Sequence, residues 1–369
     1  MHPPPSSRLP RARHEHLLRE LQLRGSVRAS TIAEELGVNE VTIRRDIIQL
    51  EKDGRLARVH GGAISVEATT RPDPARTLVG LVLPGSGSHF PDVVHGAEAA
   101  AAGLHARMVL ATTGYRAAAE RRHVERLVEI GVEGLIIAPT LRDRSVADLV
   151  AALAAIPVPL VVLERSLESS TALAGYDWVR TDQARGALLG LEHLAERGHR
   201  RIGLALLDRT PAAPSIREGY AQAVARLGLE EAPVRSLPKD DGGVHDPADA
   251  ALEEFLESCL AQGTRAALVH TDVHAARLVE IALDQGVRVP ADLAVIAYDD
   301  EFAQLGIVPL TAISPPGREI GRLAMQTLFD RLRTEDPDDM PPRHVHVVPR
   351  LMVRRSSGEI PDARAAMAD

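Results

Sequence analysis

The side chains with the clearest chemistry near the N-terminus fall on one predicted helix. Helical spacing and the flanking residues predict this helix over residues 39–53, with Asn39 as its N-cap and Gly54 as its end. Its inward stripe is apolar and consists of Ile43, Ile47 and Leu50. Its outward side carries Val41, Thr42, Arg44 and Arg45. Because arginine can bond O6 and N7 of guanine together or clamp a phosphate, this layout predicts a helix that reads DNA.

Other polar groupings in the sequence do not form a catalytic or metal-binding set. The glycine-rich stretch at 85–88 lacks the Lys-Ser/Thr pair of a phosphate-binding loop. The pairs His14/His16 and His344/His346 have a possible metal spacing, but no further ligand cluster accompanies either pair. No nucleophile–base arrangement emerges from the Ser, His and Asp positions. The sequence therefore predicts a protein without enzymatic activity, metal ion or cofactor.

Two shorter helices and a hairpin must position the predicted recognition helix. Leucines at helical spacing predict a first helix over residues 11–24, and a second short helix begins at Ser30 or Thr31. A tight turn then leads into the recognition helix. Residues 55–64 predict a short hairpin, and its basic residues suit the DNA backbone or the minor groove.

The N-terminal segment carries an ordered set of motifs. They are Val38-Asn39-Glu40-Val41-Thr42-Ile43-Arg44-Arg45-Asp46, then Leu50-Glu51, Gly54 and Arg58-Val59-His60-Gly61-Gly62-Ala63. Over residues 11–64 these motifs resemble the DeoR-type winged helix-turn-helix family. Asn39 stands where the family usually has Ser, an exchange that an N-cap tolerates. The resemblance implies binding of operator DNA through Asn39, Val41, Thr42, Arg44, Arg45, Arg58 and His60.

Beyond a linker at residues 65–77, the pattern changes to alternating strands and helices. The linker contains two prolines and little apolar surface, and tails are expected at 1–10, where the chain is predicted to be disordered, and at 358–369. Apolar strands are predicted at 78–83, 106–110, 134–138, 160–163, 202–206, 266–270 and 293–297. This alternation predicts an α/β fold with parallel sheets, arranged as two lobes with a ligand site between them.

The larger segment also carries family motifs. They include Thr181-Asp182-Gln183, Gly198-His199-Arg200-Arg201-Ile202-Gly203, Arg217-Glu218-Gly219-Tyr220, Val295-Ile296-Ala297-Tyr298-Asp299-Asp300, Pro309-Leu310-Thr311 and Val353-Arg354-Arg355-Ser356. Over residues 77–357 they resemble the sensor of LacI-type regulators, which is related to periplasmic sugar-binding proteins. The resemblance implies a two-lobed periplasmic-binding-protein-like domain at 78–357. Its first lobe is expected at 78–178 and 311–338, and its second at 179–310 and 339–357.

The LacI-type resemblance implies a ligand pocket. Carrying the family's roles over by position gives Phe90, Glu164, Arg165, Arg217, His245, Asp272 and Asp299 as ligand contacts. Glu164 stands where the family usually has Asp, and this exchange implies a different or smaller ligand. Carboxylates bond paired hydroxyls, and arginine also suits a carboxylate or a phosphate. The implied effector is therefore a small molecule, and a sugar or a sugar derivative suits these groups best.

Charge is distributed unevenly along the chain. Residues 1–62 contain eleven basic and eight acidic side chains, a net of +3, whereas the remainder has a net of −11 and the whole chain −8. This asymmetry suits a DNA-binding head on a body that avoids DNA. The chain lacks an apolar run of about 18 residues and a signal-peptide core, so a cytoplasmic protein without membrane contact is expected. The single cysteine, Cys259, excludes an intrachain disulfide framework.

Together these features predict a sequence-specific transcriptional regulator. We expect a homodimeric repressor that a small-molecule effector releases from its operator. Release rather than tighter binding is expected from family habit alone. The linker replaces the hinge helix of standard LacI-type proteins, so the hinge-folding switch of that family is not part of this expectation. Two alternatives remain, a DeoR-type regulator with a sugar-phosphate-binding body and a DNA-tethered enzyme that acts on a sugar. The LacI-type motifs argue against the first, and the lack of a catalytic set argues against the second.

Overall fold

The computed structural model describes most of the chain as two compact units, Met1–Arg76 and Thr77–Asp369. The described residues are 10–24, 26–53, 55–59, 62–65, 77–85, 90–142, 144–166, 170–238, 247–334 and 340–358. The predicted tails before Pro10 and after Gly358, the linker from 66 to 76, His60 and His245 lie outside the described residues. Within the described ranges, every helix falls short of the length and apolar character that crossing a membrane requires.

The first unit is a helical head with a small sheet. In chain order it contains α1 (Pro10–Arg24), β1 (Ser26–Arg28), α2 (Ala29–Leu36), α3 (Glu40–Lys52), β2 (Leu56–Val59) and β3 (Gly62–Ser65). The strands form an antiparallel sheet in the order β1-β3-β2, so the predicted hairpin is present and β1 is an addition to it. Pro10, expected in the tail, begins α1, where a proline is tolerated. Helix α2 begins at Ala29 rather than at Ser30 or Thr31, because Arg28 already ends the extended segment before it.

The head is held together by an aliphatic core and one buried ion pair. The buried side chains include Leu17, Leu21, Ile32, Ile43, Ile47 and Leu50. Asp46 of the DeoR-type motif is also buried, and it accepts hydrogen bonds from Arg13 Nε at 2.7 Å and Arg13 Nη2 at 3.0 Å. This hydrogen bonding raises the pKa of Arg13. Asp46 therefore fixes α1 against α3, which explains an acidic residue on the predicted recognition helix.

The second unit has the alternating pattern that the sequence predicts. Its first part is β4 (Thr77–Leu83), α4 (Phe90–Gly103), β5 (Ala106–Thr112), α5 (Ala117–Glu129), β6 (Gly134–Ile137), α6 (Val146–Ala154), β7 (Leu160–Leu163) and β8 (Asp177–Thr181). Its middle part is α7 (Gln183–Glu196), β9 (Gly203–Leu207), α8 (Ala213–Leu227), β10 (Val234–Leu237), α9 (Pro247–Ala261), β11 (Ala266–His270), α10 (Asp272–Asp284), β12 (Ala294–Tyr298) and β13 (Thr311–Ser314). Its last part is α11 (Gly317–Arg333), β14 (His344–Val347) and β15 (Arg350–Met352).

These elements form two lobes, each built on a six-stranded sheet. The sheet of lobe 1 has the order β14-β8-β7-β6-β4-β5, and all its strand pairs are parallel. The sheet of lobe 2 has the order β10-β9-β11-β12-β13-β15, with β15 alone antiparallel. The predicted α/β fold with parallel sheets is therefore confirmed.

The lobe boundaries differ from the expected ones near the C-terminus. Strand β13 was expected in lobe 1 but pairs with β12 in lobe 2, and β14 was expected in lobe 2 but pairs with β8 in lobe 1. Strand β8 crosses the expected boundary at 178 and lies wholly in lobe 1. The reason is the position of the prolines. Pro315 and Pro316 follow β13 and Pro349 precedes β15, so the chain changes lobe at residues that cannot continue a strand's hydrogen bonding.

Candidate functional site

Helix α3 presents the predicted DNA-reading residues on its outer face. Asn39 is the N-cap, and its side chain accepts a hydrogen bond from the backbone N–H of Val41 at 2.8 Å. Val41 is 58% exposed, which suits contact with a thymine methyl group in the major groove. Thr42 is half-buried beside it. The first turn of α3 therefore combines a small apolar contact with the arginines that follow.

The two arginines of this face differ in what they bind within the head. Arg44 donates to Glu40 Oε1 from Nε at 3.1 Å and from Nη2 at 2.7 Å, so its guanidinium is paired. Arg45 is exposed and has no hydrogen bond or ion pair with the described part of the chain. Arg58 lies on β2 opposite Ala63, and its side chain is outside the description, as is His60. Of these two arginines, Arg45 is therefore the one whose guanidinium has no partner among the described residues.

In the body, a cavity of about 280 Å³ lies between the two lobes, at the carboxyl ends of their strands. Tyr115 and Glu164 line it from lobe 1, whereas His270 and Asp299 line it from lobe 2. Three of the four described non-glycine residues with positive φ lie on this wall, namely Tyr115, Glu164 and Asp299. Such conformations are unfavourable unless the surroundings fix them, and they concentrate at functional sites.

The lobe 1 wall holds a carboxylate and a buried arginine. Glu164 follows β7, and its carboxylate accepts hydrogen bonds from Thr181 Oγ1 at 2.8 Å and from the Thr181 backbone N–H at 3.2 Å. Arg165 donates from Nε to the Pro139 carbonyl at 2.6 Å and from Nη1 to the Glu164 carbonyl at 2.8 Å. Burial lowers the pKa of Arg165. The wall therefore presents a fixed carboxylate, while the guanidinium serves the loop backbone.

The lobe 2 wall places an imidazole beside a carboxylate. His270 ends β11 and Asp299 follows the neighbouring β12, with His270 Nε2 4.0 Å from Asp299 Oδ2. Burial lowers the pKa of His270 to about 3, so the imidazole is neutral at neutral pH. Its Nδ1 is buried and has no hydrogen-bond partner within the described structure.

The crossing from β8 to α7 completes the wall. Tyr298 Oη donates to the Gln183 carbonyl at 2.8 Å, and a Cβ at Gly186 would overlap the Tyr298 hydroxyl, so this contact requires glycine. Gln183 lines the cavity, and its Oε1 is buried without a hydrogen-bond partner among the described residues. The side chain that begins α7 therefore offers a second unused acceptor.

Arg180 also reaches the cavity, but its guanidinium is engaged by lobe 1. It lies 4.9 Å from the ring centroid of Trp178, and its Nε donates to His346 Nε2 at 2.9 Å. The Trp178 ring stacks on His344 with centroids 4.6 Å apart. Trp178 is the single tryptophan of the chain, so its fluorescence reports on the lobe 1 side of the cavity.

The structure places some of the seven predicted ligand contacts on the cavity wall and others away from it. Phe90, Glu164, Arg165 and Asp299 line the cavity together. Arg217 does not line it, because the exposed guanidinium donates to Asp208 Oδ1 at 2.6 Å. Asp272 does not line it either, because its buried carboxylate accepts from the Phe302 backbone N–H at 2.6 Å. His245 is outside the described residues.

Sequence reasoning missed several residues of the cavity wall, chiefly Tyr115, Arg180, Gln183, Thr210, Ser215 and His270. A signal for two of them was present. Gln183 belongs to a quoted LacI-type motif, and His270 ends a strand that was correctly predicted at 266–270. Since ligands of such folds bind at the carboxyl ends of strands, the last residue of each strand was a candidate.

A larger groove of about 790 Å³ lies elsewhere on the body, between α4 and α11. Four of its charged residues form two ion pairs, because Arg318 contacts Asp92 and Arg322 contacts Glu319. Among the described residues there is also no group of three His, Cys, Asp or Glu side chains that could hold a metal ion. The cavity between the lobes is therefore the better candidate for a small-molecule site.

Comparison with known proteins relates each unit to a family. A DeoR-like helix-turn-helix domain matches residues 13–69, and a periplasmic binding protein-like domain matches residues 191–357. The arabinose metabolism transcriptional repressor of Geobacillus stearothermophilus is 28% identical over 342 residues, covering 89% of this chain and 90% of that protein. An uncharacterized HTH-type transcriptional regulator in the aml 5′ region of Streptomyces limosus is 31% identical over 266 residues, covering 69% of this chain and 72% of that protein.

Solved structures support the same fold. The transcriptional regulator CelR in complex with cellobiose superposes with a TM-score of 0.63 at 22% identity, covering 92% of this chain and 98% of that one. A LacI family regulator from Enterococcus faecium with bound ribose superposes with a TM-score of 0.60 at 20% identity, covering 77% of this chain and all of that one. These relatives are named as regulators and not as enzymes. The chain belongs to the HTH-type transcriptional regulators, as a DNA-binding protein that joins a DeoR-type winged helix-turn-helix to a LacI-type sensor domain.

Proposed function

We propose that this regulator is a cytoplasmic repressor whose operator binding is relieved by a small sugar bound between the two lobes. The observation that carries the proposal is the cavity of about 280 Å³, which joins two carboxylates to two aromatic rings. Small-molecule sites usually measure roughly 300–1,000 Å³, so this cavity suits one sugar ring rather than a longer saccharide.

The wall chemistry supports a polyhydroxylated ligand. Glu164 and Asp299 are acceptors on opposite walls, and each carboxylate can bond neighbouring hydroxyls of a sugar. Phe90 and Tyr115 provide apolar surface for the C–H faces of a ring. The names of several relatives point the same way, since one is an arabinose metabolism repressor and another a ribose operon repressor from Haemophilus influenzae.

A ligand that touches both lobes favours the arrangement in which both walls contact it. Such a ligand shifts the equilibrium between lobe arrangements only by its difference in affinity for them, typically about 1–3 kcal/mol. We place the DNA contacts on Val41, Thr42, Arg44 and Arg45, with the wing residues Arg58 and His60 beside them. Two copies of the head would read a two-fold symmetric operator, so the functional unit we propose is a homodimer.

The two alternatives receive less support. The match of residues 191–357 to a periplasmic binding protein-like domain disfavours a body that resembles sugar-phosphate isomerases. An enzyme acting on a sugar would need a nucleophile and a base on the cavity wall. His270, the wall imidazole, has its nearest carboxylate at 4.0 Å and is kept neutral by burial, which suits a hydrogen-bond acceptor better than a base.

The test uses the full-length protein. An operator sequence is first selected from a random DNA library, and retention of that DNA is then measured with a panel of free pentoses and hexoses. The proposal expects one sugar to raise the melting temperature, to weaken retention and to be recovered unchanged. Consumption of the sugar would favour the enzyme. A stabilising sugar that strengthens DNA retention would contradict release, and a protein that selects no DNA sequence would contradict the repressor.

A further inference from the structure

We infer that His270 and Gln183 select an uncharged, hydroxyl-rich ligand and reject phosphorylated or carboxylated relatives of it. Each residue lines the cavity and carries one buried atom, Nδ1 of His270 or Oε1 of Gln183, that has no hydrogen-bond partner among the described residues. The inference rests on the proposed function, since it names the class of sugar and the residues that distinguish it.

His270 occupies the middle of a row of strand ends in lobe 2. Asp208 follows β9 on one side, Asp299 follows β12 on the other, and His274 lies one turn into α10. Burial and His274 lower the pKa of His270 while Asp208 raises it, and the net result is a neutral ring. A neutral imidazole has one N–H and one lone pair. With the proton on Nε2, which faces the Asp299 carboxylate, Nδ1 is left as an acceptor for a ligand hydroxyl.

Gln183 supplies the second acceptor from the other side of the crossing. Its backbone carbonyl is already used by the Tyr298 hydroxyl, and this bond fixes the start of α7 against the end of β12. The side-chain Oε1 is buried and unused. An amide oxygen accepts up to two hydrogen bonds and carries no charge, so it suits a hydroxyl donor.

The arginines near the cavity already form hydrogen bonds within the protein. Arg165 donates to two backbone carbonyls, and Arg180 lies over Trp178 and donates to His346. Arg217 pairs with Asp208 outside the cavity. An anionic ligand would meet the carboxylates of Glu164 and Asp299 together with two further acceptors, and Arg165 and Arg180 would have to leave their present hydrogen bonds to pair with it. A neutral polyol brings donors to all of these groups, whereas a phosphate adds acceptors and like charge.

This arrangement has a measurable signature. A buried acceptor without a partner destabilises the protein, and replacing it by an apolar group of similar shape relieves that penalty. The substitutions His270→Leu and Gln183→Leu should thus leave the melting temperature of the sugar-free protein unchanged or raised. The same substitutions should weaken binding of the sugar about 3- to 10-fold, the equivalent of one neutral hydrogen bond.

The experiment measures dissociation constants by calorimetry and by Trp178 fluorescence. The probes are D-ribose, L-arabinose, D-xylose, D-glucose and D-galactose, each with its terminal phosphate ester and its available deoxy analogues. The controls are His123→Leu and Gln222→Leu, which lie outside the cavity on α5 and α8. We expect the phosphate ester to bind at least about tenfold more weakly than the free sugar. We also expect one deoxy analogue to lose affinity in the wild type but not in the variant that lacks its acceptor.

The outcomes separate this inference from the function on which it rests. A phosphate ester that binds as tightly as the free sugar overturns the inference, as do two cavity variants with wild-type affinity. The first comparison needs no variant, so it decides the matter even if the substitutions impair folding. A wild-type protein that binds no free sugar but binds a phosphate ester overturns the inference and the neutral effector together. One that binds neither contradicts the proposed function itself.

Discussion

The DNA-binding head and the ligand-binding cleft place their functional side chains by different means. On α3, residues 41–45 belong to little more than one turn, so their spacing determines which of them face outward. In the cleft, Glu164, His270 and Asp299 lie at the carboxyl ends of strands of two different sheets. A helix face can therefore be predicted from local spacing, whereas the composition of a cleft depends on the order of strands.

The head nevertheless depends on one contact that local spacing does not reveal. Asp46→Ala removes the carboxylate that pairs with buried Arg13, and removal of one partner from a buried ion pair costs about 3–5 kcal/mol. We expect hydrogen exchange to accelerate throughout residues 10–65 and to stay unchanged in residues 77–358. The control is Asp53→Ala, an exposed carboxylate near the end of the same helix. Wild-type exchange rates in the Asp46→Ala variant would show that the Arg13–Asp46 ion pair does not stabilise the head.

On the exposed face of α3, Arg45→Ala should weaken operator binding by roughly 1–3 kcal/mol, the value of a good arginine–guanine contact. Arg44→Ala should cost less, because Arg44 must first give up its pairing with Glu40. Gel-shift titrations at one fixed salt concentration measure both, with Gln49→Ala as the control on a neighbouring exposed position. If the Arg45 variant retained normal affinity, the assignment of α3 as the reading helix would be wrong.

The body's strands were predicted correctly where the sequence contains a continuous apolar run. They were missed where the strand lacks such a run. The edge strands β10 and β14 are short and largely solvated, so their residues form no continuous apolar run. Strand β8 is buried but begins with Asp177, whose carboxylate accepts from Arg331 Nε at 2.8 Å and Nη2 at 2.9 Å. A polar residue is stable there because of a partner 154 positions away, and no local pattern contains that partner.

The cleft residues show the same limit. Glu164 and Asp299 were assigned through the family resemblance, and both lie on the wall. Arg217 was assigned through a motif as well, but Asp208 at the end of β9 holds its guanidinium outside the cavity. His270 was missed, although the end of its strand was predicted correctly. The motif identified the family, whereas the hydrogen-bond partners of each side chain decide which residues reach a ligand.

The buried imidazole of His270 should make stability of the body depend on acid pH. Its folded pKa is about 3, below the unfolded value of 6.5, so the unfolded chain binds the proton first. Stability is therefore complete above pH 6.5 and falls by about 1 kcal/mol as the pH drops to roughly 5.5. His193, whose pKa burial lowers to about 4, acts in the same direction. Urea unfolding across this range should show a flatter acid limb for His270→Leu, and an unaltered pH profile would indicate that the pKa of His270 is the same in the folded and the unfolded protein.

The smallest effect is expected at Thr181, which positions the Glu164 carboxylate with its hydroxyl at 2.8 Å. Thr181→Val keeps the shape of the buried side chain but removes this donor, while the hydrogen bond from the Thr181 backbone N–H to Glu164 is retained. We expect sugar affinity to fall about 2- to 5-fold, or roughly 0.5–1 kcal/mol, with DNA retention in the absence of sugar unchanged. Thr181→Ser restores the hydroxyl and should restore the affinity. If the Thr181→Ser protein bound sugar no more tightly than the Thr181→Val protein, the Thr181 hydroxyl would not position Glu164. The position of Glu164 would then depend on its own backbone turn rather than on the neighbouring strand β8.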